Sequence, residues 1–338
     1  MDENYHLDVK DKKILAELDT NARQSNSQIG KKVKLSKEVV KYRIDKLIEA
    51  GIIVKFYSII NYFKLGIYKH KLYLRFTNAS KEKIDEIGQY FCKHKRTEWD
   101  VSCTGRWDMN VGFLVHNVNE FDDEVQIALN KFSKYIQEKA VTTTLYLVHN
   151  VRGFLGNKRT EVVYHTSKDS KEKIDDLDEE IIKVITNNAR MPVTEIAERL
   201  KVTPKIVHYR LKEMERKNII LAYKALLNPK AMGRVFCKAI IYLENVNQER
   251  LNEFISYVSS LPDVVWPMKV MGAWDFELDC EVESYDKFQD IILNIKEKFP
   301  DMIKNHEFFI VSKEFKLDFF PGAYPQFKEN KKSGQGST

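Results

Sequence analysis

The strongest constraint on this chain is an internal repeat. The segment Asn21-Ala22-Arg23 recurs as Asn188-Ala189-Arg190, a shift of 167 residues, and the same shift carries Gly105-x-Trp107-Asp108 onto Gly272-x-Trp274-Asp275. Between residues 11 and 53, 12 of 43 positions are identical in the two copies, whereas composition alone predicts roughly 6%. A shift that holds without a gap over about a hundred residues indicates two copies of one folding unit. The period is too long for a solenoid repeat, so each copy should be a folded body of its own.

Composition sets wide limits on function. The 338 residues include 55 Lys+Arg and 49 Asp+Glu, a formal net charge of +6, which permits nucleic-acid binding without demonstrating it. Apolar residues make up 43% of the chain, so wholesale disorder is excluded. The four cysteines form no CxxC pair, so we predict no metal site and no disulfide, and we expect a cytoplasmic protein. The sequence has no GxGxxG motif and no P-loop, and we predict no cofactor. No apolar run approaches the roughly 18 residues that cross a bilayer, and the polar start does not resemble a signal peptide.

The first part of each copy has the pattern of three helices. In the first copy Asp8 should cap the first helix, Ser27 should begin a short second helix, and Ser36 should cap the third. In the second copy Thr194 and Thr203 occupy the later two capping positions. A short helix, a tight turn and a longer helix form a helix-turn-helix, whose second helix enters the DNA major groove.

The outward face of the third helix carries the candidate DNA contacts. Its lysines would neutralise phosphates, and side chains of its first turns would contact base edges. The candidates are Lys32, Ser36, Lys37, Glu38, Lys41, Tyr42, Arg43 and Lys46 in the first copy, and Thr203, Lys205, His208, Tyr209 and Arg210 in the second. Two alternatives stay open, because lysine-rich faces are often only solvated and three-helix units also dock proteins. Arg43 and Arg210 lie near the buried edge, where structural ion pairs are an equal alternative to phosphate contacts.

From about residue 69 the pattern changes to alternating strands and amphipathic helices. The strand KHKLYLRFT precedes the helix KEKIDEIGQYFCKH, the strands TEWDVSCTG and MNVGFLVH, a helix over about 119–135 and a strand near 141–148. The second copy repeats this order. The order βαββαβ is ferredoxin-like. The predicted fold class is therefore α+β, with a winged helix-turn-helix and a ferredoxin-like domain present twice.

These motifs together resemble the Lrp/AsnC family of feast/famine transcription regulators. The resemblance rests on LDxxDxxIL at residues 7–15, on the segment 36–53 and on the turn GRWD at 105–108, and it covers nearly all of residues 7–320, twice. It implies that the ferredoxin-like (RAM-type) domain forms the dimer and can bind an amino acid near its turn. The implied effector residues are Gly105, Trp107, Asp108, Gly272, Trp274 and Asp275. The alternative is that Gly-x-Trp-Asp makes only a hairpin turn whose Trp packs into the sheet. The family normally has one such unit per chain, and this chain departs from it by carrying two.

The predicted domain limits follow from the same patterns. We place helix-turn-helix units at 1–60 and 175–227 and ferredoxin-like domains at 61–155 and 228–320. Between the copies we expect a polar linker over 156–174 that contains one strand-like segment, TEVVYH. Residues 321–338 are rich in Pro, Gly, Ser and Lys and are predicted to be disordered.

The repeat and the resemblance predict a sequence-specific DNA-binding transcription regulator that is not an enzyme. The two units would pair within the chain as a pseudo-dimer, with recognition helices in successive major grooves, about 34 Å apart. Because the two helices differ, the DNA target should have unequal half-sites. The expected partners are double-stranded DNA, an amino-acid effector and further copies of the chain through the ferredoxin-like domains, with no membrane.

Two other functions remain as alternatives. One is an enzyme similar to the siroheme decarboxylases, which resemble this family in build and act on a tetrapyrrole. His70, His94, His149 and His208 do not occupy matching positions in the two copies, which disfavours this alternative. The other is a small-molecule sensor or scaffold that no longer binds DNA, because the second helix-turn-helix has the weaker positive charge.

Overall fold

The computed structural model describes residues 5–156 and 163–320. The first copy contains α1 (Val9–Thr20), α2 (Asn26–Val33), α3 (Lys37–Glu49), β1 (Ile53–Ile60), β2 (Tyr68–Phe76), α4 (Lys81–Cys92), β3 (Thr97–Gly105), β4 (Met109–Val115), α5 (Val118–Phe132) and β5 (Ile136–His149). A short strand, β6 (Val163–Thr166), follows. The second copy contains α6 (Asp176–Thr186), α7 (Val193–Leu200), α8 (Pro204–Arg216), β7 (Ile220–Leu227), β8 (Val235–Leu243), α9 (Gln248–Ser260), β9 (Val264–Gly272), β10 (Phe276–Val282), α10 (Tyr285–Lys298) and β11 (Ile303–Leu317). The predicted α+β class and the duplicated element order are confirmed.

Side-chain caps begin both recognition helices as predicted. The Ser36 hydroxyl accepts a hydrogen bond from the Val39 N–H at 3.3 Å, and the Thr203 hydroxyl accepts one from the Ile206 N–H at 3.4 Å. Each bond satisfies an amide that has no partner inside its own helix.

Two other predicted helix starts are wrong. Helix α2 begins after Ser25 and not at Ser27, because Ser25 and Gln28 form a reciprocal capping box. Helix α7 begins after Pro192 and not after Thr194, and Pro192 provides no side-chain cap. In both cases the helix begins earlier than the predicted capping residue would allow.

An antiparallel ribbon joins the two helix-turn-helix units. Strand β1 of the first copy pairs with β7 of the second, so each unit's wing strand pairs with that of the other unit. The backbone bonds beside the ribbon are reciprocal: the Ala22 N–H donates to the Tyr223 carbonyl at 2.8 Å, and the Ala189 N–H donates to the Phe56 carbonyl at 3.0 Å. Each residue and its counterpart are 167 positions apart. The repeat in the sequence is therefore a twofold pseudosymmetry in the fold.

The repeated Asn-Ala-Arg motif lies at this pseudosymmetry axis. The Arg23 guanidinium donates to the Ala189 carbonyl at 2.8 Å, and the Arg190 guanidinium donates to the Ala22 carbonyl at 2.7 Å. Each guanidinium also lies 5.2 Å from the centre of an aromatic ring of the other copy. Each arginine therefore stabilises the opposite unit, which gives the motif a structural role in both copies.

The eight strands of the two ferredoxin-like units close into one barrel. Their order is β2-β4-β3-β11-β8-β10-β9-β5, and β5 pairs again with β2. The copies join at β3–β11 and at β5–β9. Helices α4, α5, α9 and α10 pack on the outside, while aromatic residues of both copies fill the interior. Among the described helices, none has the length and apolar character to span a bilayer.

Residues 163–174 form part of this folded body. Strand β6 extends the sheet beside β5, His165 is buried, and the Glu172 N–H donates to the Lys64 carbonyl at 2.7 Å. The strand predicted within TEVVYH is present over the described part of that segment, residues 163–165, and it continues to Thr166. The rest of that segment, and the tail at 321–338 that we predict to be disordered, lie outside the described residues.

Candidate DNA-binding surface and interdomain cavity

The outward faces of α3 and α8 form the candidate DNA-binding surface. Both helices expose an apolar residue and a tyrosine at equivalent positions: Val39 and Tyr42 on α3, with 40% and 63% of their surface exposed, and Ile206 and Tyr209 on α8, with 41% and 61% exposed. Single exposed apolar residues are common, but the same pair in both helices indicates a contact surface. Such side chains can contact thymine methyl groups in a major groove.

The predicted basic residues surround these apolar pairs. Lys37, Glu38 and Lys41 on α3 and Lys205 and His208 on α8 are exposed. The lysines of the first unit lie beside carboxylates, as in Lys32–Glu17 (2.7 Å), Lys37–Glu38 (3.6 Å), Lys41–Asp45 (2.6 Å) and Lys46–Glu49 (2.7 Å). Exposed pairs of this kind contribute at most about 1 kcal/mol, so a phosphate can replace the carboxylate at little cost.

The two arginines of the recognition helices form structural ion pairs. The Arg43 guanidinium lies 2.8 Å from both Asp8 and Asp11. The equivalent Arg210 lies 2.8 Å from Asp175 and 3.3 Å from Asp178. The Asp11 amide and Arg43 hold the pKa of the Asp8 carboxyl below its usual range. A phosphate contact by either arginine would require these pairs to open, so the structure favours the ion-pair alternative at both positions.

The Gly-x-Trp-Asp turns have a clear structural role. Gly105 and Gly272 have φ near +134° and +136°, and a Cβ there would lie 2.8 and 2.3 Å from a carbonyl oxygen of the other copy. Trp107 and Trp274 are buried inside the barrel.

The aspartates of these turns hold neighbouring strands. The Asp108 carboxylate accepts from the Phe76 N–H at 2.7 Å, and the Asp275 carboxylate accepts from the Leu243 N–H at 2.8 Å. These contacts support the hairpin-turn alternative for all six predicted effector residues, and an effector at these turns stays a prediction.

Sequence patterns missed a pair of histidines. His149 ends β5 and His165 lies in β6, and their rings are 5.3 Å apart. Both are buried and line a cavity of about 560 Å³ between the β1–β7 ribbon and the barrel. The sequence comparison of the copies could not find this pair, because His165 lies in the connecting segment and has no counterpart. The one available signal was the strand-like TEVVYH, which placed a histidine in a predicted strand.

Comparison with known proteins agrees with this architecture. A winged helix-turn-helix DNA-binding family model matches residues 7–54 and 174–220. The proline dehydrogenase transcriptional activator of Rhodobacter capsulatus is 31% identical over 114 residues, which are 33% of this chain and 73% of that protein. The leucine-responsive regulatory protein of Rhizobium meliloti (strain 1021) is 29% identical over 124 residues, 36% of this chain and 78% of that protein. Each relative therefore matches about one copy.

A solved structure matches both copies at once. The siroheme decarboxylase NirDL superposes with a TM-score of 0.63 over 96% of this chain and 97% of its own, at 12% sequence identity. This similarity concerns the fold alone. The sequence relatives are transcription regulators, and the two helix-turn-helix matches coincide with α1–α3 and α6–α8. The chain therefore belongs to the Lrp/AsnC family of helix-turn-helix transcription regulators and carries two of the family's units in tandem.

Proposed function

We propose that this regulator binds duplex DNA through α3 and α8 together, as a pseudo-dimer within one chain. The observation that carries the proposal is the equivalence of the two surfaces. Both helices begin at a hydroxyl cap, expose an apolar residue and a tyrosine at matching positions, and hold a matching arginine in an ion pair. An exposed apolar residue beside an exposed tyrosine, present at the same positions of both helices, supports a contact role for α8 as well as for α3.

The two helices should recognise different bases. Lys37, Glu38 and Lys41 begin α3, whereas Pro204, Lys205 and His208 stand at the equivalent positions of α8. Base readout depends on the donors and acceptors that each side chain offers. A homodimer would present two identical helices and favour a palindrome, whereas this chain should favour two unequal half-sites.

Selection of bound fragments from a random DNA pool tests this directly. We expect enriched sites with two dissimilar halves, about one helical turn apart. Enrichment of perfect palindromes would contradict the assignment of both helices to one DNA site.

Substitution tests the surface itself. Replacing Lys37→Ala and Lys41→Ala together should weaken binding and reduce the slope of log affinity against log salt by about 2, because two phosphate contacts are lost. The matched control is Lys93→Ala with Lys95→Ala, which removes the same charge from exposed positions after α4. Unchanged affinity and slope in the Lys37/Lys41 variant would overturn the proposal.

We also propose that the chain is not an enzyme. The named relatives with sequence similarity are regulators, and NirDL shares only the fold. Incubation of the purified protein with siroheme, followed by measurement of released CO₂, separates the alternatives. Sustained release would establish the enzymatic alternative. A location in the cytoplasm and an amino-acid effector remain predictions from the sequence.

A further inference from the structure

The cavity between the ribbon and the barrel lies on the pseudosymmetry axis. Its volume is about 560 Å³, within the range of roughly 300–1,000 Å³ that is typical of small-molecule sites. Several residues of its wall are equivalent across the 167-residue shift. Three such pairs are apolar in both copies: Ile59 and Leu226, Ile60 and Leu227, and Trp99 and Trp266. The two copies therefore share this cavity.

Other equivalent pairs in the wall differ in chemistry. They are Tyr62 and Pro229, Lys69 and Phe236, and Leu147 and Glu314. A pocket on the axis of a homodimer would present the same groups twice, so a ligand could bind in two equivalent orientations. The unlike pairs give the two sides of this cavity different polar groups. A ligand with two unlike ends should therefore bind in one orientation.

One side of the cavity has buried polar groups without partners. His149 and His165 are 6% and 1% exposed, and none of their four ring nitrogens has a hydrogen-bond partner in the described part of the chain. The Tyr62 hydroxyl likewise has no partner there. Burial lowers the pKa of His165 to about 3 and holds the pKa of His149 well below its usual range, so both rings are neutral near pH 7. Because an unpaired buried polar group costs about 1–3 kcal/mol, a polar atom of a ligand would be stabilised here.

The other side of the cavity carries a carboxylate. Leu147 pairs with His165 across β5 and β6 and lies two residues before His149. The pseudosymmetry therefore places Glu314, the counterpart of Leu147, on the other side of the axis from the two histidines. The Glu314 carboxylate accepts a hydrogen bond from the Trp99 indole N–H at 3.0 Å. The cavity thus has a different polar anchor on each side.

No ion pair with a described residue balances the charge of Glu314. Lys55, whose charge acts on this carboxylate, donates to Asn187 and to the Leu317 carbonyl instead. Burial raises the pKa of the Glu314 carboxyl, and the Trp99 hydrogen bond and Lys55 offset burial only in part. A bound cation would therefore stabilise the ionised carboxylate.

The other charges of the wall leave Glu314 as the group that a ligand would compensate. Lys230 also lacks an ion pair with a described residue, but it is exposed on the short turn before β8, where water screens its charge. Glu314 is accessible as well, but burial has the largest effect on its pKa, so its charge is poorly hydrated. The remaining charged residues of the wall all lie in ion pairs: Lys69, Lys71, Glu98, Arg234, Asp279, Glu281 and Lys313.

The aromatic rings near Glu314 are suited to an organic cation. The centre of the Phe236 ring lies 6.0 Å from that of Trp99 and 6.1 Å from that of Trp266, and all three line the cavity. Lys238 and Arg152 already lie over the two indoles, at 5.2 and 5.7 Å, whereas none of the described cations lies over Phe236. Ring faces attract cations, and their apolar area favours an organic cation over a small hydrated ion.

We propose that this cavity binds an organic amine that carries an aromatic ring system and is a cation at neutral pH. The cationic nitrogen would lie at Glu314, the ring system would pack against Trp99 and Phe236, and a second polar atom would face His149 and His165. The proposed ligand carries no carboxylate, which separates it from an amino acid. This site does not depend on the DNA binding proposed above.

The sign of the charge is tested by calorimetric titration of the full chain without DNA. The probe is 9-aminoacridine, a cation at neutral pH, and the matched control is acridine-9-carboxylate, an anion with the same ring system. L-tryptophan serves as an amino-acid control. We expect saturable one-to-one binding of 9-aminoacridine, about tenfold or more tighter than that of either control. Absence of saturable binding by 9-aminoacridine, or equal or tighter binding of a control, would overturn the proposal.

Substitution tests the carboxylate. Glu314→Gln keeps an acceptor for the Trp99 indole and removes the charge, so it should weaken 9-aminoacridine binding about tenfold or more. The matched control Glu297→Gln removes the same charge from an exposed position of α10 and should leave the affinity unchanged. Lys230→Ala should not weaken binding of this cation. Equal affinity in the wild-type chain and in Glu314→Gln would contradict the assignment of the cation to Glu314.

The second anchor is tested at the histidines. His149→Leu should weaken 9-aminoacridine binding several-fold, because it removes a polar partner of similar size. His306→Leu changes a histidine of β11 that does not line the cavity and should leave the affinity unchanged. If both histidine variants bind the probe as the wild-type chain does, the proposed orientation of the ligand is wrong.

Discussion

The two helix-turn-helix units contact the barrel at equivalent positions, which are charged in one place and uncharged in the other. On one side Arg152 donates to Asp19 at 2.7 Å and to Glu281 at 2.7 and 2.8 Å, and Lys224 lies 3.4 Å from Asp19. All four side chains are buried, and we call this set the ionic junction. The positions 167 residues away are Thr186 for Asp19, Phe319 for Arg152, Tyr57 for Lys224 and Leu114 for Glu281.

This second set, the aromatic junction, contains no charged group. Tyr57 and Phe319 stack there with ring centres 3.9 Å apart and planes 7° apart. Equivalent positions of the two copies are thus stabilised by buried ion pairs in the ionic junction and by stacked rings in the aromatic junction. Identical subunits could not diverge in this way, because each change would appear on both sides of the axis. The fused chain allows the two halves to specialise for each other.

The barrel interior shows the same specialisation. Lys71 and Lys238 are equivalent and both are buried, whereas Glu277 and Asp279 stand where the first copy has Asn110 and Gly112.

Glu277 binds Lys71 at 2.5 Å and Lys238 at 3.1 Å, and Asp279 binds Lys238 at 2.5 Å. These charges cancel only when one unit of each kind is paired. Two first units would bury two lysines without these carboxylates, and two second units would bury an excess of negative charge, both at high cost. The charges therefore specify pairing of unlike copies.

The largest expected effect is that of breaking the barrel charge balance. Although burial opposes ionisation, Lys71 and Lys238 hold the pKa of the Glu277 carboxyl well below its usual range. Glu277→Gln leaves two buried lysines with one carboxylate and should lower the free energy of unfolding by about 3–5 kcal/mol, measured by urea denaturation. The control Glu307→Gln removes a partly exposed partner of Arg106 and should cost about 1 kcal/mol or less. Equal losses of unfolding free energy in Glu277→Gln and Glu307→Gln would show that the buried carboxylate stabilises the fold no more than a partly exposed one.

A smaller effect should separate the two junctions. Burial by itself would raise the pKa of the Asp19 carboxyl. The positive charges of Lys224 and Arg152 have the larger effect, so the pKa of Asp19 lies below its usual range. The stabilisation by this carboxylate is thus present above about pH 4 and is lost as the pH falls through the lowered value. Asp19→Asn should lower the free energy of unfolding by about 3 kcal/mol at pH 7. It should also make that free energy depend less on pH at the acid end of the range.

Phe319→Leu is the matching change in the aromatic junction. It should cost about 1 kcal/mol, because a stacked pair contributes roughly that much, and it should leave the acid limb unchanged. Thermal unfolding of both variants from pH 2 to pH 7 tests the difference. A similar loss of acid dependence in both variants would refute the contrast.

An effect smaller than that of Asp19 concerns a carboxyl present only in the first copy. Asp100 is fully buried, neither carboxyl oxygen has a hydrogen-bond partner in the described residues, and the second copy has Pro267 there. Burial raises the pKa of Asp100 to about 8, despite the opposing charge of Lys316. The folded chain therefore holds a proton that the unfolded chain releases near pH 4, so stability falls as the pH rises toward 8.

This residue should account for a loss of about 2 kcal/mol in the free energy of unfolding between pH 6 and pH 8. Asp100→Asn should remove that slope, and Asp123→Asn, a change at an exposed position of α5, should retain it. Urea titrations at the two pH values provide the measurement. Retention of the full slope in Asp100→Asn would assign the proton to another group.

The parts of the candidate site that depend on local sequence were predictable. The caps at Ser36 and Thr203, and the outward position of Tyr42, follow from spacing within one or two helical turns. The predicted helix starts at Ser27 and Thr194 were wrong because the N-cap positions are Ser25 and Pro192, each two residues earlier. The sequence does not distinguish an ion pair from a phosphate contact for Arg43, because its partners Asp8 and Asp11 lie at the start of another helix.

Sequence patterns alone were enough to predict the duplication, the helix-turn-helix and ferredoxin-like order of each copy, and the family. Periodicity, capping and a constant shift are properties of residues close together in the chain or matched between copies. No sequence pattern predicted the closure of the barrel, the pairing of wing strands between the copies, or the contact of His149 with His165 beside a cavity. These features depend on pairings between β1 and β7, β3 and β11, and β5 and β9. Such long-range contacts depend on how whole elements pack, which no local pattern encodes.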